Sequence, residues 1–362
     1  MKKNIALISP NQNAYSETFI QAHKNYFDAN VFYYYDRMTQ LEKEGEISLS
    51  KWRRGIRLLK LYLGIKQPQA WEIAMINSFK KHRIDKVYAE YGTTGVEIMP
   101  VCKKMNIPLI VNFHGFDASI HSVLENFEKQ YKELFDYAEH IVVVSKLMQK
   151  KLISWGANPP KITYTPCAPN DSFLELNPAF SENAFIAVGR FVDKKAPYYT
   201  ILAFQKVLSK YPDAKLYLCG DGLLYDVCVN LVNYLKISNN VLFLGSISAK
   251  ELKAIYERVS GFVQHSVTAQ NGDMEGTPVA VLEACAAGLP VISTKHAGIP
   301  DVVQHEKTGL LVEEHDVEQM AEYMMCLLEN KDYAKSLGAA GRELVKANFT
   351  LGHHIGILNK LL

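Results

Sequence analysis

The chain lacks the closely spaced cysteines on which zinc sites and disulfide frameworks depend. Its six cysteines are scattered and none forms a C-x-x-C pair. They are Cys102, Cys167, Cys219, Cys228, Cys285 and Cys326. This pattern is typical of reduced, buried thiols and argues against a small disulfide-stabilised protein. We therefore expect a cytoplasmic protein.

Long apolar runs and a strong net charge are missing as well. The apolar run near the N-terminus breaks at Pro10, too early for the core of a signal peptide. No later run reaches the roughly 20 apolar residues that span a bilayer. A net charge of +2 argues against a dedicated nucleic-acid binder. Because no G-x-G-x-x-G follows a predicted strand, we set aside a dinucleotide-dependent oxidoreductase.

What the chain does contain is a regular series of short apolar runs. In the first half they fall at 4–9, 30–35, 85–90, 108–113, 140–145 and 161–165, and in the second half at 184–189, 214–219, 240–244, 260–264, 290–294 and 309–312. Helical patterns separate them. Strands that alternate with helices form parallel sheets, and 362 residues exceed a usual single core. We predict an α/β fold with two Rossmann-like, doubly wound domains that face a central cleft.

The domain boundary is predicted where prolines and asparagines crowd together, between 166 and 183. We place the N-terminal domain at 1–172 and the C-terminal domain at 173–349. In doubly wound sheets, ligands bind beyond the carboxyl ends of the strands. The cleft between the domains is therefore the expected site.

Two glutamates, Glu275 and Glu283, are eight residues apart in Glu-Gly-Thr-Pro-Val-Ala-Val-Leu-Glu. If a helix begins near Pro278, Glu283 lies in its second turn, and the amides around Gly276 and Thr277 form an anion site. Each carboxylate can accept a pair of hydrogen bonds from sugar hydroxyls. The segment therefore suits two sugars joined by a diphosphate. The alternative is a surface turn whose acid stabilises the helix dipole, followed by an ordinary exposed glutamate.

A basic loop follows the first predicted strand of the second domain. Arg190 and Lys195 are expected to project from it. An arginine fork and a lysine charge can neutralise a bound diphosphate and the charge that grows as it leaves. The alternative is a solvated basic loop without a ligand.

Three motifs together resemble a known family. They are Gly189-Arg190-x4-Lys195, Gly220-Asp221-Gly222, and Glu275-x7-Glu283 with Gly288-Leu-Pro-Val-Ile. The pattern is similar to the retaining, nucleotide-sugar-dependent glycosyltransferases of family 4, which have the GT-B fold. The resemblance is strong over 184–312 and weaker before it.

The resemblance implies a donor site in the second domain. Glu283 would contact the nucleotide ribose, Glu275 the hydroxyls of the donor sugar, and Arg190 with Lys195 the diphosphate. Further donor contacts are implied for Gly189, Ile247, Gly276, Thr277, Pro278 and Val279. Ile247 belongs to the turn 245–247, which resembles the place where such enzymes hold the base.

The first domain would complete the site. The run Val111-Asn112-Phe113-His114-Gly115-Phe116-Asp117 resembles the H-G-x-D turn of the family, which places His114 beside the donor sugar. Asp117 would orient His114 or cap the following helix. A glycine-rich loop after the first strand is replaced by a segment with Ser16 and Glu17, which would meet donor or acceptor unless Ser16 caps a helix. The Ser-Glu-Thr-Phe run resembles enzymes that build bacterial surface polysaccharides.

The resemblance also implies the chemistry. We expect retention at the anomeric carbon by front-face attack assisted by the departing phosphate, with His114, Glu275, Arg190 and Lys195 as the catalytic set. Double displacement would instead need Glu275 or Asp117 as nucleophile. No two aspartates have the Asp-x-Asp spacing with which GT-A-type enzymes hold a divalent ion. Because the basic groups can supply that charge, we expect no metal and no cofactor.

The expected partners are a nucleoside diphosphate sugar, which is a co-substrate, and a glycan or lipid-linked acceptor. The segment 51–66 has six cations and no acid, and as a helix it would place Trp52, Ile56 and Leu59 on one face. It is expected either to lie on an anionic membrane at its inner face or to pack on its own domain. The final helix, at about 350–362, is expected from the resemblance to cross back to the first domain. Two other functions stay open: a different sugar-phosphate enzyme of this fold, such as an epimerase or phosphorylase, and a catalytically silent membrane-associated scaffold.

Overall fold

The computed structural model describes residues 2–11, 18–35, 42–43 and 70–362. Within these residues the chain forms two sheets, each flanked by helices. The predictions at Ser16, Glu17 and 51–66 lie outside the described residues.

The first sheet has seven strands in the order β3-β2-β1-β4-β5-β6-β7. They are β1 (Asn4–Ile8), β2 (Asn30–Tyr35), β3 (Glu42–Lys43), β4 (Lys86–Glu90), β5 (Leu109–Phe113), β6 (His140–Val143) and β7 (Ile162–Tyr164). All pairings are parallel except that of the two-residue edge strand β3, which is antiparallel to β2. The sequence pattern missed β3, because two residues are too few for a periodicity.

The second sheet has six parallel strands in the order β10-β9-β8-β11-β12-β13. They are β8 (Ala184–Val188), β9 (Lys215–Cys219), β10 (Val241–Gly245), β11 (Gly261–Gln264), β12 (Val291–Thr294) and β13 (Gly309–Val312). Counted from β8, this is the 3-2-1-4-5-6 order of a Rossmann sheet. All twelve predicted strands are therefore confirmed, and so is the α/β class.

Helices connect the strands and cover both faces of each sheet. Their bounds are Thr18–Tyr26, Ala70–His82, Gly92–Met105, His121–Tyr137, Lys146–Ser154, Pro197–Val207, Tyr225–Tyr234, Ala249–Tyr256, Val279–Ala286, Ile299–Val302, Val317–Glu329, Lys331–Asn348 and Leu351–Asn359. None of these described helices is long and apolar enough to cross a membrane. The order of strands reverses beside β1 in the first sheet and beside β8 in the second, which is where doubly wound sheets open a ligand crevice.

The last helix, Leu351–Asn359, packs on the first sheet although it follows the second in the chain. Successive residues of a strand point to opposite faces, so Ile5 and Leu7 of β1 lie on one side of the sheet. That side is covered by Ile355 and Leu358 of the last helix. The carbonyl oxygen of Leu362 accepts a hydrogen bond of 2.6 Å from Lys3 Nζ. The boundary between 172 and 173 itself stays a prediction.

Because Leu358 is fully buried in this contact, Leu358→Ala is expected to lower the free energy of unfolding by about 2–5 kcal/mol. Urea denaturation followed by circular dichroism measures the change. The matched control is Leu223→Ala, at a leucine that is 92% exposed, where a change within about 0.5 kcal/mol is expected. Equal effects at both positions would contradict the packing of the last helix described above.

Candidate functional site

The basic loop after β8 brings two neighbouring lysines to two acids. The loop ends where Pro197 starts a helix, a position that suits proline because its missing N–H needs no partner there. Lys195 Nζ lies 2.8 Å from Glu275 Oε1. Lys194 Nζ lies 2.9 Å from Asp273 Oδ1 and 3.1 Å from the carbonyl oxygen of Met274. The consecutive Lys194 and Lys195 thus pair with two acids, Asp273 and Glu275, that are two residues from each other in the sequence.

The Lys194–Asp273 pair was not predicted from the sequence, although Lys194 adjoins the predicted Lys195 and Asp273 lies two residues before the predicted Glu275. Lys194 is only 7% exposed, so its charge requires the partner that it has. Arg190, in contrast, is exposed, and no ion pair or hydrogen bond of its side chain is present among the described residues. Arg190, Lys195, Gly189 and Gln264 border one small cavity at the carboxyl end of the second sheet. The two cations predicted from the sequence, Arg190 and Lys195, therefore line the same cavity.

Glu275 is a buried, ionised carboxylate. Burial favours its neutral form, but the charges of Lys195 and Lys194 outweigh that effect and lower its pKa to about 2. Its side chain is 9% exposed. The negative charge that the sequence analysis placed at this position therefore depends on the adjacent lysines.

The backbone of Glu275 is held by an imidazole. Its N–H donates to His296 Nε2 at 3.1 Å, and His296 Nδ1 lies 2.6 Å from Glu314 Oε1. Since Nε2 accepts, the proton of a neutral imidazole lies on Nδ1 and points at Glu314. The Glu314 carboxylate also accepts from the N–H of Thr268 at 2.9 Å. Sequence reasoning missed His296 and Glu314, because they follow other strands and no spacing links them to Glu275.

The next residue, Gly276, makes a close backbone contact between the two halves. A Cβ at this position would lie 2.2 Å from the carbonyl oxygen of His114, so only glycine fits. Thr277 Oγ1 donates to the carbonyl oxygen of Val144 at 2.6 Å, again across the cleft. The glutamate motif is therefore fixed to the first half of the chain by a backbone contact at Gly276 and a side-chain hydrogen bond at Thr277.

The helix Val279–Ala286 begins where the sequence predicted, with Pro278 as its N-cap residue and Glu283 in its second turn. Val279 packs against the core of the first half. Burial raises the pKa of Glu283 to about 7, which Lys253 only partly offsets. Without a ligand that donates hydrogen bonds, ionisation of Glu283 is unfavourable.

Two turns complete the second half of the site. Gly220 packs against the basic loop so closely that a Cβ would lie 2.1 Å from the carbonyl oxygen of Gly189. Its N–H donates to the carbonyl oxygen of Gly245 at 2.7 Å. Ile247, two residues further on, packs on the core of the second half. The predicted diphosphate and base turns are thus direct neighbours.

In the first half, the turn after β5 is held by Asp117. Its carboxylate accepts from the N–H groups of His114 and Gly115 at 3.0 Å each and from Gly92 at 2.8 Å. Asp117 is completely buried and fixes the backbone of the turn. The Gly92 contact shows that it serves the start of the helix Gly92–Met105, whereas the sequence analysis offered the helix that follows.

The ring of His114 faces a residue that the sequence analysis did not select. Its Nε2 lies 2.7 Å from Glu90 Oε2, at the end of β4. Burial lowers the pKa of His114, but Cys167 and the Glu90 carboxylate raise it to about 10. The signal that could have found Glu90 is an acid at the carboxyl end of a buried strand beside the strand that ends before His114. Within the described residues, no group of three or more His, Cys, Asp and Glu side chains could hold a metal ion.

Comparisons with known proteins cover most of the chain. A family model described as glycosyl transferases group 1 matches residues 174–344, and one described as glycosyltransferase family 4 matches residues 29–172. The solved structure of Anabaena HepE in complex with UDP has a TM-score of 0.76 at 16% identity, and the match covers 99% of this chain and 98% of that one. That likeness shows the two-domain GT-B fold.

Curated relatives match over shorter regions. The amylovoran biosynthesis glycosyltransferase AmsK of Erwinia amylovora is 32% identical over 253 residues, which are 66% of this chain and 59% of that relative. A GDP-mannose-dependent phosphatidylinositol monomannoside mannosyltransferase of Mycobacterium tuberculosis is 33% identical over 165 residues, 45% of this chain and 43% of that relative. The chain thus matches less than two thirds of the length of either protein.

The half-buried position of Glu283 leads to a prediction about stability. A raised pKa means that the folded protein binds this proton more tightly than the unfolded chain does, so the free energy of unfolding falls as the pH rises from 4.5 to about 7. Glu283→Gln removes this loss and is expected to stabilise the ligand-free protein at pH 8 by roughly 1–3 kcal/mol. Urea denaturation at pH 5 and pH 8 measures it. The control is Glu125→Gln, at an exposed helical glutamate; a variant at Glu283 that behaves like this control would refute the prediction.

Proposed function

This chain belongs to the glycosyltransferases, with a family 4 domain followed by a group 1 domain, and on that premise we propose that it transfers a hexose from a nucleoside diphosphate sugar. The acceptor is a glycan or lipid-linked glycan of a bacterial surface polysaccharide, and the configuration at the anomeric carbon is retained. The amylovoran enzyme, with which the chain shares 32% of aligned residues, supports the polysaccharide assignment.

The observation that carries the proposal is the meeting of Arg190, Lys195 and Glu275 at the carboxyl end of the second sheet. Arg190 and Lys195 border one cavity, and Lys195 contacts Glu275 at 2.8 Å. Two cations can bind a diphosphate and stabilise it as it leaves, and the adjacent carboxylate can accept hydrogen bonds from sugar hydroxyls. Glu283, in the second turn of the next helix, would bind the ribose.

The proposed reaction needs no metal ion, because the positive charge at the leaving group comes from Arg190 and Lys195. The attacking acceptor hydroxyl would pass its proton to the departing phosphate, which leaves on the same face of the sugar. His114 would support the developing charge from the first domain. Ser16 and Glu17 remain acceptor-site predictions from the sequence.

A panel of UDP-, GDP-, ADP- and CMP-sugars tests the proposal without added metal and with a chelator. The names of similar proteins mention both UDP and GDP-mannose, so the panel covers both. One donor is expected to raise the melting temperature and to be slowly hydrolysed, and the released sugar keeps its anomeric configuration. Silence across the panel would favour the scaffold function, and inversion of configuration would refute retention.

The same experiment uses Arg190→Ala. Because Arg190 is exposed, its loss is expected to change stability by less than about 0.5 kcal/mol. Donor binding should weaken about 10- to 100-fold, since a charge-assisted hydrogen bond contributes about 1.5–3 kcal/mol. Arg83→Ala, at an exposed arginine of the first half, is the control and should bind the donor normally.

Membrane contact through 51–66 is proposed from the sequence alone. Six cations near a lipid-linked acceptor would favour an anionic surface. Sedimentation with liposomes that contain or lack anionic lipid tests it. Binding only to the anionic liposomes is expected, and no binding to either would remove this part of the proposal.

A further inference from the structure

A chain of buried polar side chains runs from the His114 turn to the last helix. We call it the histidine chain, and it consists of His114, Glu90, His23, His354 and Thr165. Glu90 Oε2 lies 2.7 Å from His114 Nε2, and Glu90 Oε1 lies 2.5 Å from His23 Nδ1. His23 Nε2 lies 2.9 Å from His354 Nε2, and His354 Nδ1 lies 2.9 Å from Thr165 Oγ1. The donor-site residues proposed above do not account for this arrangement.

Glu90 is the one acidic residue among the five members of the histidine chain, and its carboxylate is completely buried. Burial alone would keep it neutral, but His23 and His114 outweigh that effect and lower its pKa to about 2. A buried anion of this kind requires a positive partner. Asn112 adds only a neutral donor, whose Nδ2 lies 3.3 Å from Glu90 Oε2.

The far end of the histidine chain cannot supply that positive charge. Burial and the neighbouring His23 lower the pKa of His354 well below its ordinary value, so this imidazole is neutral. A neutral His354 still fixes His23 through a hydrogen bond between their Nε2 atoms, which sets the direction of His23 Nδ1 toward Glu90. The last helix therefore helps to position side chains of a site in the first domain, although His354 follows His23 by 331 positions in the sequence.

His114 is enclosed by groups from several elements. The ring of Phe19 stacks on it at 4.2 Å and that of Tyr91 is tilted at 4.8 Å. Cys167 Sγ lies 4.0 Å from Nδ1, and among the described residues this long contact is the one hydrogen bond that Nδ1 makes.

Two further groups contact the backbone of the His114 turn and not the imidazole ring. The carboxylate of Asp117 lies on its backbone side, and Gly276 of the second half touches its carbonyl oxygen. The Nε2 atom of His114 is thus paired with Glu90, and the neighbouring side chains fix the orientation of the His114 ring.

We propose that Glu90 is a positioning residue that holds the imidazole of His114 as a cation at the cleft, and that His23 and His354 hold Glu90 from the opposite side. The proposal rests on the transferase function for its catalytic consequence. In the proposed reaction, a fixed cation in the turn that contacts Gly276 of the second half would add to the electrostatic stabilisation of the leaving diphosphate.

The test combines a titration with kinetics. The ring of His114 is followed by NMR on protein with labelled histidine, without any substrate, and its signals are assigned as those missing from His114→Gln. In the wild type, both ring nitrogens are expected to carry protons at pH 8. In Glu90→Gln, which keeps the shape and removes the charge, His114 should be neutral at pH 8.

Kinetics of the same variant separate positioning from a general loss of structure. Glu90→Gln is expected to lower kcat about 10- to 100-fold, as loss of a partner that orients a functional side chain typically does. KM for the donor should change less than about twofold, and the defect should shrink at pH 6, where His114 regains its proton. Glu97→Gln, an exposed glutamate on the helix that follows Glu90, is the matched control and should match the wild type in both measurements.

A neutral His114 in the wild type at pH 8 would overturn the proposal, and this measurement does not depend on a folded Glu90→Gln variant. Identical titrations in the wild type and Glu90→Gln would overturn it too, as would an unchanged kcat when the titration shifts. Because the titration uses no donor, it still tests the pairing if no sugar is transferred, so failure of the transferase function is recognised separately.

Discussion

The contact of Gly276 with the carbonyl oxygen of His114 sets the geometry on which the candidate site depends. Parallel sheets leave their functional loops at the carboxyl ends of the strands, and here the loops of both sheets meet. Backbone touches backbone, because a Cβ on Gly276 would lie 2.2 Å from that oxygen. The hydrogen bond from Thr277 to Val144 ties the next residue to the first half as well. Glu275 and His114 therefore have a fixed relation although different domains carry them.

Charge at this junction is arranged in buried or half-buried pairs. Burying an unpaired carboxylate or ammonium costs several kcal/mol, so each such group needs an opposite charge or several donors. Glu275 has Lys195, Asp273 has Lys194, and Glu90 has His114 and His23, while the half-buried Glu314 has donors, namely the Nδ1–H of His296 and the N–H of Thr268. Glu283 is the exception, with a pKa raised to about 7 by burial. Two glutamates are predicted to bind the donor, and the structure describes both. Of these, Glu283 is the one whose ionised form depends more on a bound ligand.

The difference between what the sequence predicted and what it missed follows from the range of the interactions. Strands and the start of the helix at Val279 depend on local periodicity and a proline, so twelve strands and the position of Glu283 were predictable. His296, Glu314 and Glu90 act through neighbours on other strands, and no spacing in the chain encodes such a contact. His354 is the extreme case, since a helix must first return to the first sheet before it can meet His23. Asp117 was predicted as a residue of the turn, but its partners there are backbone N–H groups, which have no sequence signal.

The pairing of Lys195 has a consequence for the proposed reaction. In the ligand-free protein this ammonium group already neutralises Glu275, and a diphosphate that binds there introduces further negative charge beside a buried carboxylate. Lys195 alone cannot neutralise both. Lys194 still offsets part of the negative charge of Glu275, since it also lowers the pKa of that carboxyl group. Arg190 has no partner among the described residues. In the proposed reaction the donor would therefore enter with Arg190 as its first cation, and Lys195 would be shared between the leaving phosphate and Glu275, the carboxylate proposed to bind the sugar. One loop thus supplies three cations: Lys194 and Lys195 pair with the acids Asp273 and Glu275, and Arg190, which has no partner among the described residues, is available to the proposed donor.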